Sequence, residues 1–406
     1  MEKFDLTPTI LHCCDIALTD PPLFNRRFIR LQAVQRLYAF YICKRANYDW
    51  ALGQIRDDFI PDVFAVLSAD EAQLARETQQ AMALFTSSLM SSSAPSAATV
   101  PPSSRVSTVV DRALASYNNA LAKDVRSLEG GLIESAVAIN QACVRIWQLL
   151  VEWAHIAIKQ AERPKLGQQD GMISSVSLSH SPMLRRLQDD DVLAKRVQQE
   201  GAGWGDYMPQ VESWYNQLVK KDPAVQQYLT CPVSSAQDQQ LFEFLIDNII
   251  FKNEAILSFF CDLDLRWAAH KHVVRRLVHR GLSRFVKNTG KGFDTAALGL
   301  APHGESESCF YNDLIHKTLQ KDEELEALIA QKAKNWAIDR IMLLDKTIVK
   351  LALCEMLYFV TIPIKVSINE YIDLSKAYGM PKSSQFVNGL LDAVANTLHR
   401  GGGNTV

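Results

Sequence analysis

Apolar side chains recur every three to four positions along almost the whole chain from residue 25 onward. This spacing places them on one face of an α-helix, whereas the two-residue alternation of a half-buried β-strand is nearly absent. We therefore predict an all-α fold. The chain has 406 residues, 48% of them hydrophobic, which is enough for about two or three packed units.

Three stretches interrupt the helical pattern. Residues 86–108 are rich in Ser, Ala and Pro, and such a segment cannot bury enough apolar surface to offset the entropy of ordering it. We predict a flexible linker there. Residues 164–182 and 290–305 also have the composition of loops.

A pattern in the middle of the chain is repeated further on. Leu245-Ile246, Lys252-Asn253-Glu254 and Trp267-Ala268 reappear in the same order as Leu314-Ile315, Lys321-Asp322-Glu323 and Trp336-Ala337. Helices of similar period resemble one another, which explains the apolar matches but not the paired Lys-Asx-Glu and Trp-Ala. We predict a duplicated helical hairpin, assigned to residues 236–309.

Charge and cysteine content restrict the function classes. The chain has 43 Lys and Arg against 45 Asp and Glu, a formal net charge of -2, so any contact with nucleic acid requires a local basic patch. The eight cysteines form no CxxC pair and are typical of buried thiols in a reducing compartment. Cys13 and Cys14 lie beside His12, but adjacent ligands do not match zinc spacings, so we expect neither a metal nor a cofactor.

The N-terminus lacks the basic region followed by an apolar region that a secretory signal has. No stretch reaches the roughly 18 apolar residues of a membrane span. We expect a cytoplasmic protein without membrane association.

The helix predicted from residue 25 begins with a cluster of arginines. Asn25 can cap the helix, and Ile29, Ala33 and Leu37 form an apolar stripe. The basic residues of this helix are Arg26, Arg27, Arg30 and Arg36. Arginines at a helix start oppose the helix dipole, so an anionic partner explains them better than helix stability does. A solvated helix face remains the alternative.

Three amphipathic helices are predicted near the C-terminus, broken at Ile362-Pro363 and at Gly379-Met380-Pro381. Gly389 falls in the middle of the last one, where glycine is unfavourable, which predicts a close helix crossing. In order, the stretch contains Leu351-Ala352-Leu353-x-Glu355, Ile362-Pro363-x-Lys365-Val366-x-Ile368-Asn369-Glu370 and Phe386-Val387-Asn388-Gly389-x-Leu391-Asp392.

These motifs resemble the C-terminal half of the NusB transcription antitermination family, and the arginine cluster followed by Ala33-Val34-Gln35-Arg36-Leu37-Tyr38 resembles its first helix. The resemblance implies an all-α, NusB-like helical bundle with a large helical insertion after the first helix. The implied segments are an N-terminal segment (1–24), the first NusB-like helix (25–55), the insertion (56–235), the duplicated hairpin (236–309), the C-terminal core (310–400) and a flexible tail (401–406).

The resemblance also implies a function. It points to an RNA-binding antitermination factor that acts with the ribosomal protein NusE on single-stranded boxA-type RNA in ribosomal RNA transcripts, within the RNA polymerase antitermination complex. The alternative is that the insertion has made the fold a ribosome-assembly or protein-interaction scaffold.

Site residues follow from the resemblance, position by position. The implied RNA contacts are Arg26, Arg27, Arg30, Gln32, Arg36, Lys382, Ser383, Gln385 and Phe386. Phe386 could stack on an unpaired base or anchor its helix in the core, and the sequence favours neither. The implied NusE contacts are Tyr38, Asp339, Asp345 and Lys350, of which the acidic pair would suit a basic partner.

A further basic helix face lies outside the resemblance. Arg276, Arg280, Arg284 and Lys287 are spaced to fall opposite the apolar Val274, Leu277, Val278 and Phe285. This face is either additional RNA surface or the solvated side of a helix.

Enzyme chemistry finds little support. Gly290-Lys291-Gly292 lacks the spacing of a phosphate-binding loop, and His270 and His272 point to different sides of a helix. NusB-like domains also precede the catalytic domain of some ribosomal-RNA cytosine methyltransferases, which needs a Pro-Cys pair. This chain has the reversed Cys231-Pro232, so we predict that it is not an enzyme.

Overall fold

The computed structural model describes residues 24–60, 71–90, 103–162, 178, 181–230, 235–287, 305–333 and 341–401. Every regular element in these ranges is helical, which confirms the all-α prediction. The chain divides into two compact units: unit 1 comprises Met1–Phe28 and Leu132–Ser308, and unit 2 comprises Ile29–Gly131 and Cys309–Val406. None of the described helices combines the length and apolarity needed to cross a bilayer.

The first three helices are α1 (Arg26–Asp58), α2 (Glu71–Met90) and α3 (Ser104–Glu162). In unit 2, the later part of α1 packs with α2 and the early part of α3 around a hydrophobic cluster. Phe85 lies at its centre, with ring centroids 5.8 Å from Tyr48 and 6.1 Å from Tyr117. The buried members are Ala51, Ile55, Phe59, Ala81, Phe85, Val106, Val109, Val110, Ala113 and Tyr117.

The linker prediction for residues 86–108 was too wide. Residues 86–90 belong to α2 and residues 104–108 to α3, while 91–102 lie outside the described residues. The ends of the stretch are helical because Leu89 packs against the hydrophobic cluster and Val106 is buried in it. Tertiary burial thus overrides a Ser-rich composition at both ends.

Besides α3 from Leu132 onward, the described residues of unit 1 form seven further α-helices after α3. They are α4 (Pro182–Gln188), α5 (Asp191–Glu200), α6 (Met208–Trp214), α7 (Pro223–Thr230), α8 (Ser235–Phe244), α9 (Glu254–Leu263) and α10 (Trp267–Lys287). Helices α6 and α8 each continue into a π-helical turn. Aromatic rings form much of the core, with Trp204 stacked on Phe259 and Phe260 stacked on Trp267.

The remaining helices of the described residues lie in unit 2, α11 from Cys309 onward: α11 (Glu305–Gln320), α12 (Asp322–Lys332), α13 (Leu343–Tyr358), α14 (Ile364–Tyr378) and α15 (Ser383–Gly401). Helix α13 is buried at every position from Thr347 to Met356. It is therefore the central helix of the C-terminal bundle, and α14 and α15 both pack against it. The predicted breaks at Pro363 and Gly379 fall where α14 begins and ends.

The repeated Lys-Asx-Glu marks the same structural junction in both copies. Asn253 caps α9 by accepting the backbone N–H groups of Ala255 and Ile256 at 3.0 and 3.3 Å. In the second copy, Lys321 directly precedes α12. The second copy lies in α11 and α12 of unit 2, and its Trp336-Ala337 pair lies outside the described residues.

A buried ion pair joins the two ends of the chain within unit 2. Arg30 on α1 donates to the carboxylate of Glu355 on α13 through Nε at 2.9 Å and Nη2 at 2.8 Å, across 325 positions of sequence. Ser367 and Tyr371 of α14 donate to the same carboxylate at 2.6 and 3.2 Å. Burial lowers the pKa of the Arg30 guanidinium, but its hydrogen bonds to Glu355 and the negative charge of that carboxylate outweigh burial and raise the pKa.

We expect Arg30→Ala to lower the free energy of unfolding by about 3–5 kcal/mol, because it leaves the carboxylate of Glu355 buried without its countercharge. Urea denaturation of the full chain measures this change. The matched control is Arg45→Ala, an exposed arginine on the same helix, which should stay within about 0.5 kcal/mol of the parent. A loss below about 1 kcal/mol for Arg30→Ala would show that the ion pair does not hold the ends together.

Candidate nucleic-acid interface

The first turn of α1 carries exposed positive charge. Asn25 accepts the backbone N–H of Phe28 through Oδ1 at 2.8 Å, which confirms it as the helix cap. Arg26 and Arg27 follow it, both exposed, and the turn has no acidic residue. The positive end of the helix dipole and two guanidinium groups thus coincide, an arrangement that favours an anion.

The other residues proposed on α1 are not arranged in this way. Arg30 and Gln32 are 2% and 0% exposed, and Arg30 is committed to Glu355. Arg36 is half-buried and donates to the backbone carbonyl of Gly131 on α3 at 3.1 Å. The prediction that Arg30 and Gln32 contact RNA was wrong. It assumed that only the apolar stripe of α1 is buried, whereas other parts of the protein cover more than one face of this helix.

The second candidate surface is the turn between α14 and α15. Lys382 and Gln385 are exposed, and so are the side chains of Tyr378 and Met380 that flank Gly379. Ser383 is buried and cannot reach a ligand. Phe386 is 4% exposed, so of the two roles open to it the structure favours the core anchor over a base-stacking platform.

Buried hydrogen bonds hold this turn in one shape. The Ser383 hydroxyl donates to the carboxylate of Asp345 on α13 at 2.7 Å and accepts the backbone N–H of Met380 at 2.9 Å. The Ser383 N–H in turn donates to the Met380 carbonyl at 2.8 Å. Gly379 lies so close to α15 that a Cβ there would be 2.6 Å from both the Ser375 carbonyl oxygen and the Ser383 Cβ.

The four residues proposed to contact a protein partner lie in different environments. Tyr38 is 36% exposed, and Ile42, one helical turn further along α1, is 44% exposed. Asp345 and Lys350 are buried, which contradicts their assignment to a surface. Asp339 lies outside the described residues.

The two buried charges have internal roles instead. Lys350 forms ion pairs with Asp322 and Glu326 of α12 at 2.7 and 2.6 Å, and its Nζ lies 4.9 Å from the centroid of the Tyr41 ring. Lys350 therefore joins α13 to α12 and α1. Burial raises the pKa of Asp345 against the effect of its bond from Ser383, which lowers it.

The sequence did not assign a role to Glu355, although it stands in a quoted motif. The available signal was a carboxylate inside a continuous apolar run, which requires a buried partner. The identity of that partner, Arg30, could not be read from the sequence.

Helix α10 of unit 1 carries the remaining proposed residues. Arg276 and Lys287 are exposed, while Arg280 and Arg284 are half-buried.

In the part of the chain that is described, no group of three or more His, Cys, Asp or Glu side chains is placed to hold a metal ion.

Together these features define an all-α protein in which the first helix and the last helices share one core and exposed cations lie at helix starts. The NusB family model matches residues 277–396. This match, together with a relative that is 39% identical and covered over 74% of its length, shows that the chain belongs to the NusB family. Proteins of this family are non-enzymatic, in agreement with the prediction from sequence.

Three relatives, each described as a transcription antitermination protein NusB, illustrate the similarity. The protein of Exiguobacterium sp. is 39% identical over 95 residues, which are 23% of this chain and 74% of the relative. That of Chloroherpeton thalassium is 38% identical over 119 residues, 27% of this chain and 56% of the relative. That of Oleidesulfovibrio alaskensis is 45% identical over 89 residues, 22% of this chain and 58% of the relative.

The chain thus spans little more than half the length of two of these relatives. No solved structure matches the chain significantly.

We expect Gly379→Ala to destabilise unit 2 by about 1–3 kcal/mol, because the new methyl group meets α14 backbone and Ser383 at once. The matched control is Gly389→Ala within α15. A Cβ at Gly389 meets nothing within 4 Å, which contradicts the close helix crossing predicted there, so this substitution should stabilise by about 0.5–1 kcal/mol. Thermal denaturation measures the unfolding midpoint of both variants. Equal shifts of the midpoint would contradict the packing described for the turn.

We expect Asp345→Asn to raise the thermal midpoint at neutral pH. The amide oxygen can still accept the Ser383 hydroxyl, whereas the buried negative charge is removed. Since the folded-state pKa of Asp345 is raised, the folded state binds this proton more tightly than the unfolded state does. The parent protein should therefore gain stability relative to the variant as the pH falls toward that pKa.

The control for this substitution is Asp345→Ala, which removes the acceptor and should lower the midpoint at every pH. A parent protein more stable than Asp345→Asn at neutral pH would mean that the negative charge itself stabilises the turn.

Proposed function

We propose that the protein is an RNA-binding transcription antitermination factor that acts with NusE on boxA-type RNA in ribosomal RNA transcripts. The observation that carries the proposal is the Arg30–Glu355 ion pair, which places α1 and the C-terminal helices in one core. These are the two stretches of sequence in which the NusB motifs occur. Each also exposes cations next to a helix start.

The proposed RNA contacts are Arg26, Arg27, Lys382 and Gln385, all of them exposed. Lys382 immediately precedes α15, whose first turn contains no acidic residue. The unpaired N–H groups and positive dipole of a helix start favour phosphate, and a nearby lysine adds to this attraction. The Gln385 amide can both donate to and accept from a base edge, which a single-stranded RNA leaves accessible.

The proposed NusE contact is the exposed face of α1 around Tyr38 and Ile42. An exposed tyrosine next to an exposed aliphatic side chain has the composition of a protein interface, since aromatic residues are enriched there. Asp345 and Lys350 are not included, because both are buried. The antitermination complex with RNA polymerase would form through this heterodimer.

We expect the double variants Arg26→Gln/Arg27→Gln and Lys382→Gln/Gln385→Ala each to weaken binding of a short boxA-type RNA. For Arg26→Gln/Arg27→Gln, which removes two phosphate contacts, the change in affinity between 50 and 200 mM salt should shrink by about sevenfold. For Lys382→Gln/Gln385→Ala, which removes one phosphate contact, it should shrink by about 2.6-fold. Fluorescence anisotropy with labelled RNA, with and without NusE, measures this. The matched control is Lys44→Gln/Arg45→Gln, which removes two exposed charges from α1 and should leave RNA binding unchanged.

The partner contact is tested in the same titration. Tyr38→Ala should abolish the gain in RNA affinity that NusE provides, whereas Asp345→Asn should retain it. If neither double variant changes RNA affinity, the antitermination proposal fails and the scaffold alternative is favoured.

A further inference from the structure

Helix α10 has an unusual distribution of charge. Its 21 residues include the cations Lys271, Arg275, Arg276, Arg280, Arg284 and Lys287 and no aspartate or glutamate. The opposite side of the helix is apolar and buried, and includes Val274, Leu277, Val278, Leu282 and Phe285. Helix faces normally mix charges of both signs, so a run of cations along one face requires an explanation.

Four of these cations form a continuous stripe, which we call the α10 face: Arg276, Arg280, Arg284 and Lys287. Their spacing of four, four and three positions keeps them on one side of the helix. At a rise of 1.5 Å per residue the stripe is about 16 Å long. Arg276 and Lys287 are exposed, and Arg280 and Arg284 are partly exposed.

Helix stability explains only the end of this stripe. Arg284 and Lys287 lie in the last turn, where cations interact favourably with the helix dipole. Arg276 and Arg280 lie in the middle of the helix, where the dipole effect has faded. Asp247, which precedes α10 in the chain, pairs with Arg275 of α10 at 2.8 Å and with His279 at 2.7 Å. These bonds outweigh burial and lower the pKa of Asp247.

Helix α4 packs against the C-terminal end of α10 through Arg186 and Phe285. The Arg186 guanidinium stacks on the Phe285 ring, with Cζ 3.6 Å from the ring centroid, and donates to the Phe285 carbonyl. This contact fixes the last turn of α4 against α10.

The geometry points to the α10 face as a second RNA contact, one that binds backbone phosphates of the strand flanking the boxA-type element without reading its sequence. The inference rests on the proposed function, because the same transcript supplies the phosphates. Arginine forks match phosphate groups in two-point contacts. None of the large apolar side chains of α10 is exposed, whereas a protein partner would use exposed aromatic or aliphatic residues.

The test compares two RNAs on the full-length protein. The short RNA is a boxA-type element of about 12 nucleotides, and the long RNA carries the same element with an unstructured extension of about 20 nucleotides. The variant is Arg276→Gln/Arg280→Gln/Lys287→Gln. The charge-matched control is Lys123→Gln/Lys221→Gln/Lys252→Gln, three exposed lysines outside α10.

In the parent protein, the long RNA should bind more tightly and with a steeper salt dependence than the short one. The α10 variant should bind the short RNA like the parent but lose the advantage of the long RNA. Its affinity change between 50 and 200 mM salt should shrink by roughly 15- to 20-fold, the effect of three lost phosphate contacts. The control variant should keep the advantage of the long RNA.

Two outcomes would overturn the inference. One is an α10 variant that binds the long RNA with parent affinity and salt dependence. The other is a control variant that loses as much as the α10 variant, since the effect would then be one of net charge. Failure of the parent to bind the short RNA would instead contradict the proposed function. If the long RNA still bound in that case and its affinity still depended on the α10 residues, the α10 face would be an RNA contact without the boxA-type site.

Discussion

The ion pair between Arg30 and Glu355 is the interaction on which unit 2 depends. Removing two charges from water costs several kcal/mol each, and the pair is tolerated because Ser367 and Tyr371 also satisfy the carboxylate. It closes a chain segment of 325 positions. Since the entropy of closing a loop grows only with the logarithm of its length, a large helical insertion between the partners adds little to the cost. A bundle of the NusB type can therefore accommodate a long helical insertion at little cost in loop-closure entropy.

Several residues to which the NusB resemblance assigned ligand contacts act inside the bundle rather than at its surface. Asp345 and Ser383 hold the turn between α14 and α15, and Lys350 ties α13 to α12. They determine where Lys382 and Gln385 are presented, which is a positioning role. A resemblance to a family therefore does not establish that a polar residue contacts a ligand until its burial is known. A buried polar group has to form its hydrogen bonds within the protein.

The elements of the fold were largely predictable, and the site was predictable only in part. The helical period, the Asn25 cap and the breaks at Pro363 and Gly379 depend on neighbours within a few residues, and all of them were predicted correctly. The predictions for Arg30 and Gln32 were wrong because the sequence does not say how many faces of α1 are covered. The linker at 86–108 was drawn too wide for the same reason: burial of Val106 depends on α1 and α2.

The sequence alone determined that this protein is helical, where many helices begin and end, and which family it belongs to, since these follow from local spacing and from motifs that survive in order. The tertiary structure decided which charges are available to a ligand. Exposure is a property of all the elements packed around a side chain, and the partner of Arg30 is 325 positions away. A charge on a helix becomes a surface contact or a buried bond according to neighbours that its own sequence window does not contain.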